Sequence, residues 1–168
     1  MAGALIVTAE LGDPDLSWID GLRRAHYPKE RDQLPAHLTL FHALPPSVET
    51  ELRSRLARTV RQGAPPSARI GGLMDLGGGV AFRIVSDDLD RIRNELADEL
   101  HGLLSAQDSG GWRPHITIQN KVAPKVARAL KEALERTFEP RPLTISGLAI
   151  HRYLGGPWER LAAYRFKT

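Results

Sequence analysis

The sequence has no cysteine, which excludes disulfides, thiolate metal sites and thiol nucleophiles. It also shows no targeting pattern at its start. Met1-Ala2-Gly3-Ala4-Leu5-Ile6-Val7 carries no basic stretch and runs into an acidic turn too soon for a signal peptide or a membrane span. The expectation is a cytoplasmic monomer with no membrane partner. Gly77-Gly78-Gly79 lacks the Gly-Lys-Ser/Thr ending and the following helix of a phosphate-binding loop, so a hairpin turn is expected there. A strong excess of one sign of charge is lacking as well. The net charge is +3, carried by 23 basic residues in which Arg far outnumbers Lys, which suits an anionic partner and a plain solvated surface equally.

What is present is ordinary for a soluble globule, with 42% hydrophobic and 26% charged residues. At 168 residues the chain is long enough for one domain that buries about two thirds of its unfolded surface.

One stretch stands out because it occurs twice. Pro35-Ala36-His37-Leu38-Thr39-Leu40-Phe41-His42 returns as Pro114-His115-Ile116-Thr117-Ile118-Gln119. Each copy reads as a strand in which two aliphatic residues alternate with His and Thr. The two-residue pleat then puts the aliphatic pair on one face and His with Thr on the other.

The surroundings repeat too. The first half reads as a strand near Ala4 to Ala9, a helix from Gly12-Asp13-Pro14 to about His26, and a charged loop from Tyr27 to Gln33. The first His-x-Thr strand follows, then a helix after Pro45-Pro46-Ser47 with Val48, Leu52, Leu56 and Val60 as its stripe, then a strand near Ala68 to Asp75. The second half offers a strand near Val80 to Val85 and a helix from about Asp87 with Leu89, Ile92, Leu96, Leu100 and Leu103 inward. A loop from Asp108 to Arg113 leads to the second His-x-Thr strand. A helix then opens at Pro124 with Val126, Leu130, Leu134 and Phe138 as its stripe, and strands close the chain near Leu143 to Leu154 and Glu159 to Phe166. His37 to His115 and Val48 to Val126 are both 78 residues, a common offset that argues for two β-α-β-α-β lobes, roughly 1–78 and 79–168, in one domain.

The fold class expected is therefore α/β of the α+β kind. Two antiparallel-rich sheets form a central cleft, with helices outside. Simple alternation points His37, Thr39 and Phe41 into the cleft from one side, and His115, Thr117 and Gln119 from the other. Arg113 shares the parity of His115 and is a candidate counter-ion for a phosphate. His42 has the opposite parity and is expected as a hydrogen-bonded histidine at the strand end. Tyr153, Trp158 and Arg152 are candidates for a cleft wall, against plain packing at a hairpin. A metal held by His37, His42 and His115 is disfavoured by parity and by the lack of a carboxylate on the motif strands.

Two imidazoles with two hydroxyls suit attack at phosphorus. One imidazole takes the nucleophile's proton, and the other gives one to the leaving oxygen. Threonine hydroxyls are neutral donors able to hold the non-bridging oxygens.

His37-Leu38-Thr39-Leu40 and His115-Ile116-Thr117-Ile118, in a duplicated chain of this length, resemble the two-histidine phosphoesterase superfamily. The branch they most resemble is that of the bacterial 2′-5′ RNA ligases and RNA 2′,3′-cyclic phosphodiesterases. The resemblance spans essentially the whole chain. It implies a bilobal fold with a central cleft and opening of cyclic phosphodiesters without metal or other cofactor, on RNA 3′ ends or nucleoside 2′,3′-cyclic phosphates, with 2′-5′ ligation when a 5′-hydroxyl takes the place of water. It further implies His115 as the base, His37 as the acid, and Thr39 and Thr117 as phosphate holders, although the pseudo-symmetry of the motifs leaves acid and base interchangeable. Phe41-His42-Ala43 and Gln119-Asn120-Lys121 depart from the better-known members at the cleft's flanks. A noncatalytic module that binds an RNA end or nucleotide, and an enzyme for another phosphoester, remain the other readings.

Overall fold

The structure, a computed structural model, describes residues 3–29 and 34–167; the end of the expected charged loop, 30–33, lies outside the described residues. The chain runs β1 (Leu5–Leu11), α1 (Asp13–His26), β2 (Leu38–Leu44), a 3₁₀ turn (Pro46–Val48), α2 (Glu49–Gln62), β3 (Ser67–Asp75), β4 (Val80–Val85), α3 (Asp87–Glu99), a short α4 (Ala106–Ser109), β5 (His115–Gln119), α5 (Pro124–Glu135), β6 (Arg141–Tyr153) and β7 (Trp158–Arg165).

Local chemistry explains the boundaries. Pro14 sits in the first turn of α1, where a missing N–H costs nothing. Asp13 and Asp15 lie at its positive end, and Arg23, Arg24 and His26 at its negative end. Ser86 caps α3 by accepting the Leu89 N–H at 3.0 Å. The triglycine is a hairpin turn: Gly77 has φ +85°, the Asp75 carboxylate accepts its N–H, and the Leu76 N–H reaches the Gly79 carbonyl. Gly79 also lies under β5, where an added Cβ would fall 1.9 Å from the Gln119 carbonyl oxygen.

All strand pairs are antiparallel, in the order β2-β1-β6-β3-β4-β5 with β7 added to β6. The third strand of each half is exchanged. β3 joins β4 of the second half, and β6 joins β1 of the first. β3 and β6 pair with each other where the halves meet, from Ser67↔Thr144 to Ile70↔Arg141. This topology puts the His-x-Thr strands β2 and β5 at the two ends of the path, and the sheet bends enough to bring them back into contact.

Helices cover the apolar face. α2 lies on β6 and β7, α5 on β3 and β4, and α1 on β5, with Trp18 stacked on Phe82 at 5.2 Å. Leu5, Val7, Leu38, Leu40, Leu148 and Ile150 are all fully buried in the resulting core. Two expected stripe residues are not part of it. Leu103 lies beyond the end of α3 and is exposed. Val126 faces solvent because α5 turns Ala127 and Leu130 inward instead.

Candidate active site

His37 immediately precedes β2 and His115 opens β5. Each is partly buried. Each ring is fixed in the same way, with Nδ1 bonded to the carbonyl two residues earlier: Pro35 at 2.8 Å for His37, and Arg113 at 2.7 Å for His115. A carbonyl only accepts, so Nδ1 carries the hydrogen and the neutral tautomer has its lone pair on Nε2. Two equivalent rings therefore present Nε2, a nitrogen that accepts a proton when neutral and donates one when charged.

Thr39 and Thr117 keep the parity of their histidines. Among the described residues neither hydroxyl has a hydrogen-bond partner. Their carbonyls are held by the opposite half: the Trp112 indole N–H donates to Thr39 O at 3.0 Å, and the Arg23 guanidinium to Thr117 O at 2.7 Å. Buried Arg93 of α3 donates in the same manner to Leu40 O at 3.1 Å.

The parity breaks after the threonines. Thr8 pairs with Thr39 but Val7 pairs with Phe41, so β2 carries an extra residue. β5 repeats the irregularity, with Ala81 opposite Thr117 and Val80 opposite Gln119. One extra residue reverses the facing of the residues after it, and in β2 a second irregularity before Leu44 reverses it again. Phe41 and Gln119, both expected in the cleft, are consequently turned inward. Phe41 is fully buried with the Arg93 guanidinium 4.4 Å from its ring centre, and Gln119 is buried with Oε1 unpaired among the described residues. The same bulge brings His42 to the surface of a hollow of about 440 Å³ that it shares with Thr39, Arg113 and His115.

His37 lines a larger hollow of about 660 Å³, together with Thr8, Glu10, His151, Trp158 and Arg160. The Trp158 ring lies 4.7 Å from His37 and 5.3 Å from His151, whose Nε2 is bonded to the Thr8 hydroxyl at 3.0 Å. Arg160 pairs with Glu10 on the wall. Of the three candidates for a cleft wall, Trp158 stands at His37, while Arg152 is engaged with Glu49 at 2.7 Å and Glu159 at 3.6 Å. Thr8, Glu10 and His151 carry no motif signal because they lie on strands other than the two His-x-Thr strands. The alternation of Thr8 and Glu10 with Val7, Ala9 and Leu11 is the signal that marks a polar face there.

Electrostatics distinguish His37. Its pKa is lowered from 6.5 to about 4, chiefly because burial disfavours the charged ring. The Pro35 bond opposes this, and the positive charges of Arg23, His151 and His115 add to the lowering. That His37 responds to His115 reflects how closely β2 and β5 approach. His151 is also lowered, first by burial and then by Arg160, with Glu10 opposing.

Residues 11–157 match the family model described as the 2′-5′ RNA ligase superfamily. The chain belongs to that superfamily. The fold of this two-histidine phosphoesterase agrees with those of solved structures. TT0787 of Thermus thermophilus is 18% identical, with a TM-score of 0.69 over 97% of each chain. E. coli LigT complexed with 3′-AMP is 16% identical, with a TM-score of 0.56 over 100% of each. LigT complexed with NADP+ is 17% identical, with a TM-score of 0.57 over 100% of each. No curated protein matches the chain. Among the described residues of this superfamily member, no helix is long and apolar enough to cross a membrane.

Proposed function

We propose that this member of the superfamily is a metal-independent phosphodiesterase that opens 2′,3′-cyclic phosphates of RNA ends or nucleotides, with 2′-5′ ligation as the same ring opening when a 5′-hydroxyl takes the place of water. The observation that carries the reading is the matched anchoring of His37 and His115, Nδ1 to carbonyl in both, which presents two Nε2 atoms from opposite strands. That LigT was crystallised with 3′-AMP and with NADP+ supports a nucleotide as ligand.

In this mechanism one Nε2 takes a proton from water as its oxygen bonds to phosphorus. The ester bond on the far side breaks, and the other ring, doubly protonated, gives its Nε2 proton to the departing ribose oxygen. The Thr39 and Thr117 hydroxyls donate to the non-bridging oxygens, whose charge grows as the fifth bond forms. The resemblance makes His115 the base and His37 the acid. Since His37 is neutral in the empty site, that assignment requires the bound phosphate to raise its pKa. Trp158 supplies an apolar wall beside His37, and the 660 Å³ hollow is of a size to take a nucleoside.

The test is hydrolysis of the four nucleoside 2′,3′-cyclic monophosphates in EDTA by wild type, His37→Ala and His115→Ala, with products resolved by phosphorus NMR. Turnover abolished by either substitution supports the paired-imidazole reading. Binding without turnover in a folded protein returns the noncatalytic module.

A further inference from the structure

His42 is a histidine that the two-imidazole mechanism does not use, yet it is held as firmly as His37 and His115. Its Nδ1 lies 3.1 Å from Asp108 Oδ1, and the same carboxylate accepts the backbone N–H groups of His42 and Ala43 at 2.9 to 3.1 Å. Asp108 is buried. The Ser105 hydroxyl accepts its N–H, and buried Arg93 donates to its carbonyl at 2.7 Å. Burial alone would raise the Asp108 pKa, but the bonds from the His42 ring and the two N–H groups outweigh it and hold the carboxylate below its usual range.

A carboxylate behind Nδ1 fixes which nitrogen faces outward. His42 Nε2 has no partner among the described residues, and the side chain is 37% exposed at the hollow that Thr39, Arg113 and His115 also line. When the ring carries both protons, one N–H is spent on Asp108 and the other points to an incoming anion. Arg113 adds a guanidinium free of any ion pair among the described residues. Of the other charged groups here, Asp75 is engaged by the Gly77 N–H, and Arg93 by Leu40 and Asp108.

We propose that His42, backed by Asp108 and joined by Arg113, forms a subsite for a second phosphate of the substrate, on the His115 side of the reacting group. This rests on the phosphodiesterase reading for the position of the first phosphate. It narrows the substrate class to nucleotides that carry a phosphate beyond the one being opened, either a 5′-phosphate or an internucleotide phosphate. The hydrogen bond involved is charge-assisted, a kind that changes affinity about tenfold or more.

The experiment is calorimetric titration of the full chain with adenosine 3′-monophosphate, adenosine 3′,5′-bisphosphate, and an adenosine dinucleotide bearing one internucleotide phosphate and a 3′-phosphate. At least one doubly phosphorylated ligand should bind about tenfold more tightly than the monophosphate; which one does so identifies the source of the second phosphate. His42→Gln should remove most of that margin and leave monophosphate binding nearly unchanged. Arg113→Gln, at an exposed position where folding is not at stake, should narrow the same margin. Equal affinities in the wild type, or a margin that survives both substitutions, would overturn the subsite. Hydrolysis of cyclic nucleotides measured alongside separates the two claims. Turnover without a margin removes the subsite alone, and a margin without turnover removes the enzyme reading alone.

Discussion

His37 and His115 are held by the same hydrogen bond in two places, each Nδ1 on the carbonyl two residues before it, at 2.8 and 2.7 Å. Because each bond runs to a backbone carbonyl, replacing either histidine breaks no hydrogen bond of another side chain. His37→Ala and His115→Ala are expected to remain folded while each loses on the order of 10²–10⁴-fold in kcat/KM. The double variant should be little worse than the weaker single one, since the proton acceptor and donor act as a unit. Circular dichroism and steady-state hydrolysis in EDTA check both statements.

The low pKa of His37 makes stability depend on pH. The unfolded chain takes up this proton near pH 6.5 and the native protein only near 4, so between these values the unfolded state binds more protons. Stability should therefore be unaffected by this group above pH 6.5 and should fall as pH drops towards 4, by on the order of 3 kcal/mol in total. His37→Gln should flatten that part of the profile in urea titrations. In proton NMR the His37 ring should titrate near 4 in the free protein and higher with 3′-AMP bound. Trp158→Ala should also move it upward, by letting water reach the ring. A free-protein midpoint near 6.5 would refute the burial argument.

Thr39→Val and Thr117→Val test the phosphate holders. Valine keeps the shape and the branched Cβ, and no protein hydrogen bond among the described residues is lost with either hydroxyl. The expected result is a fall in kcat/KM of roughly ten- to a hundredfold with the melting temperature nearly unchanged. A large drop in melting temperature would make the hydroxyls structural.

The paired bulges make opposite predictions for two equivalent positions. Phe41→Ala opens a cavity in the core and removes the nearer of the two aromatic rings beside Arg93, so it should cost about 3–5 kcal/mol in chemical denaturation. Gln119→Leu removes a buried carbonyl oxygen that has no partner among the described residues, and should be neutral or stabilising by about 1 kcal/mol, with activity retained. Loss of substrate binding by Gln119→Leu in a stable protein would return that residue to the cleft.

Most of what recurs locally could be read directly from the residues. The element order, the boundaries at Pro14, Pro46 and Pro124, the hairpin at Gly77-Gly78-Gly79 and the strand character of both motifs all follow from turn chemistry and two-residue alternation. The position of His and Thr on one face of each motif strand follows from the same alternation. The 78-residue offset, which repeats the whole context of the motif, is also what pairs the two imidazoles and two hydroxyls in the proposed mechanism.

Alternation cannot express what long-range folding imposes. A bulge reverses the facing of a strand with no change in residue type, so Phe41 and Gln119 went inward and His42 outward against the pattern. The exchange of β3 and β6 between halves depends on pairing between distant strands; with β6 beside β1 it brings His151 and Trp158 to His37, where Thr8 and Glu10 already stand through the β1–β2 pairing. Asp108 meets His42 across 66 residues, and His37 is held neutral by burial that no neighbour in sequence supplies. Pairing, burial and long-range charge are properties of the folded arrangement, and in this chain they decide which of the repeated residues face outward and which are buried.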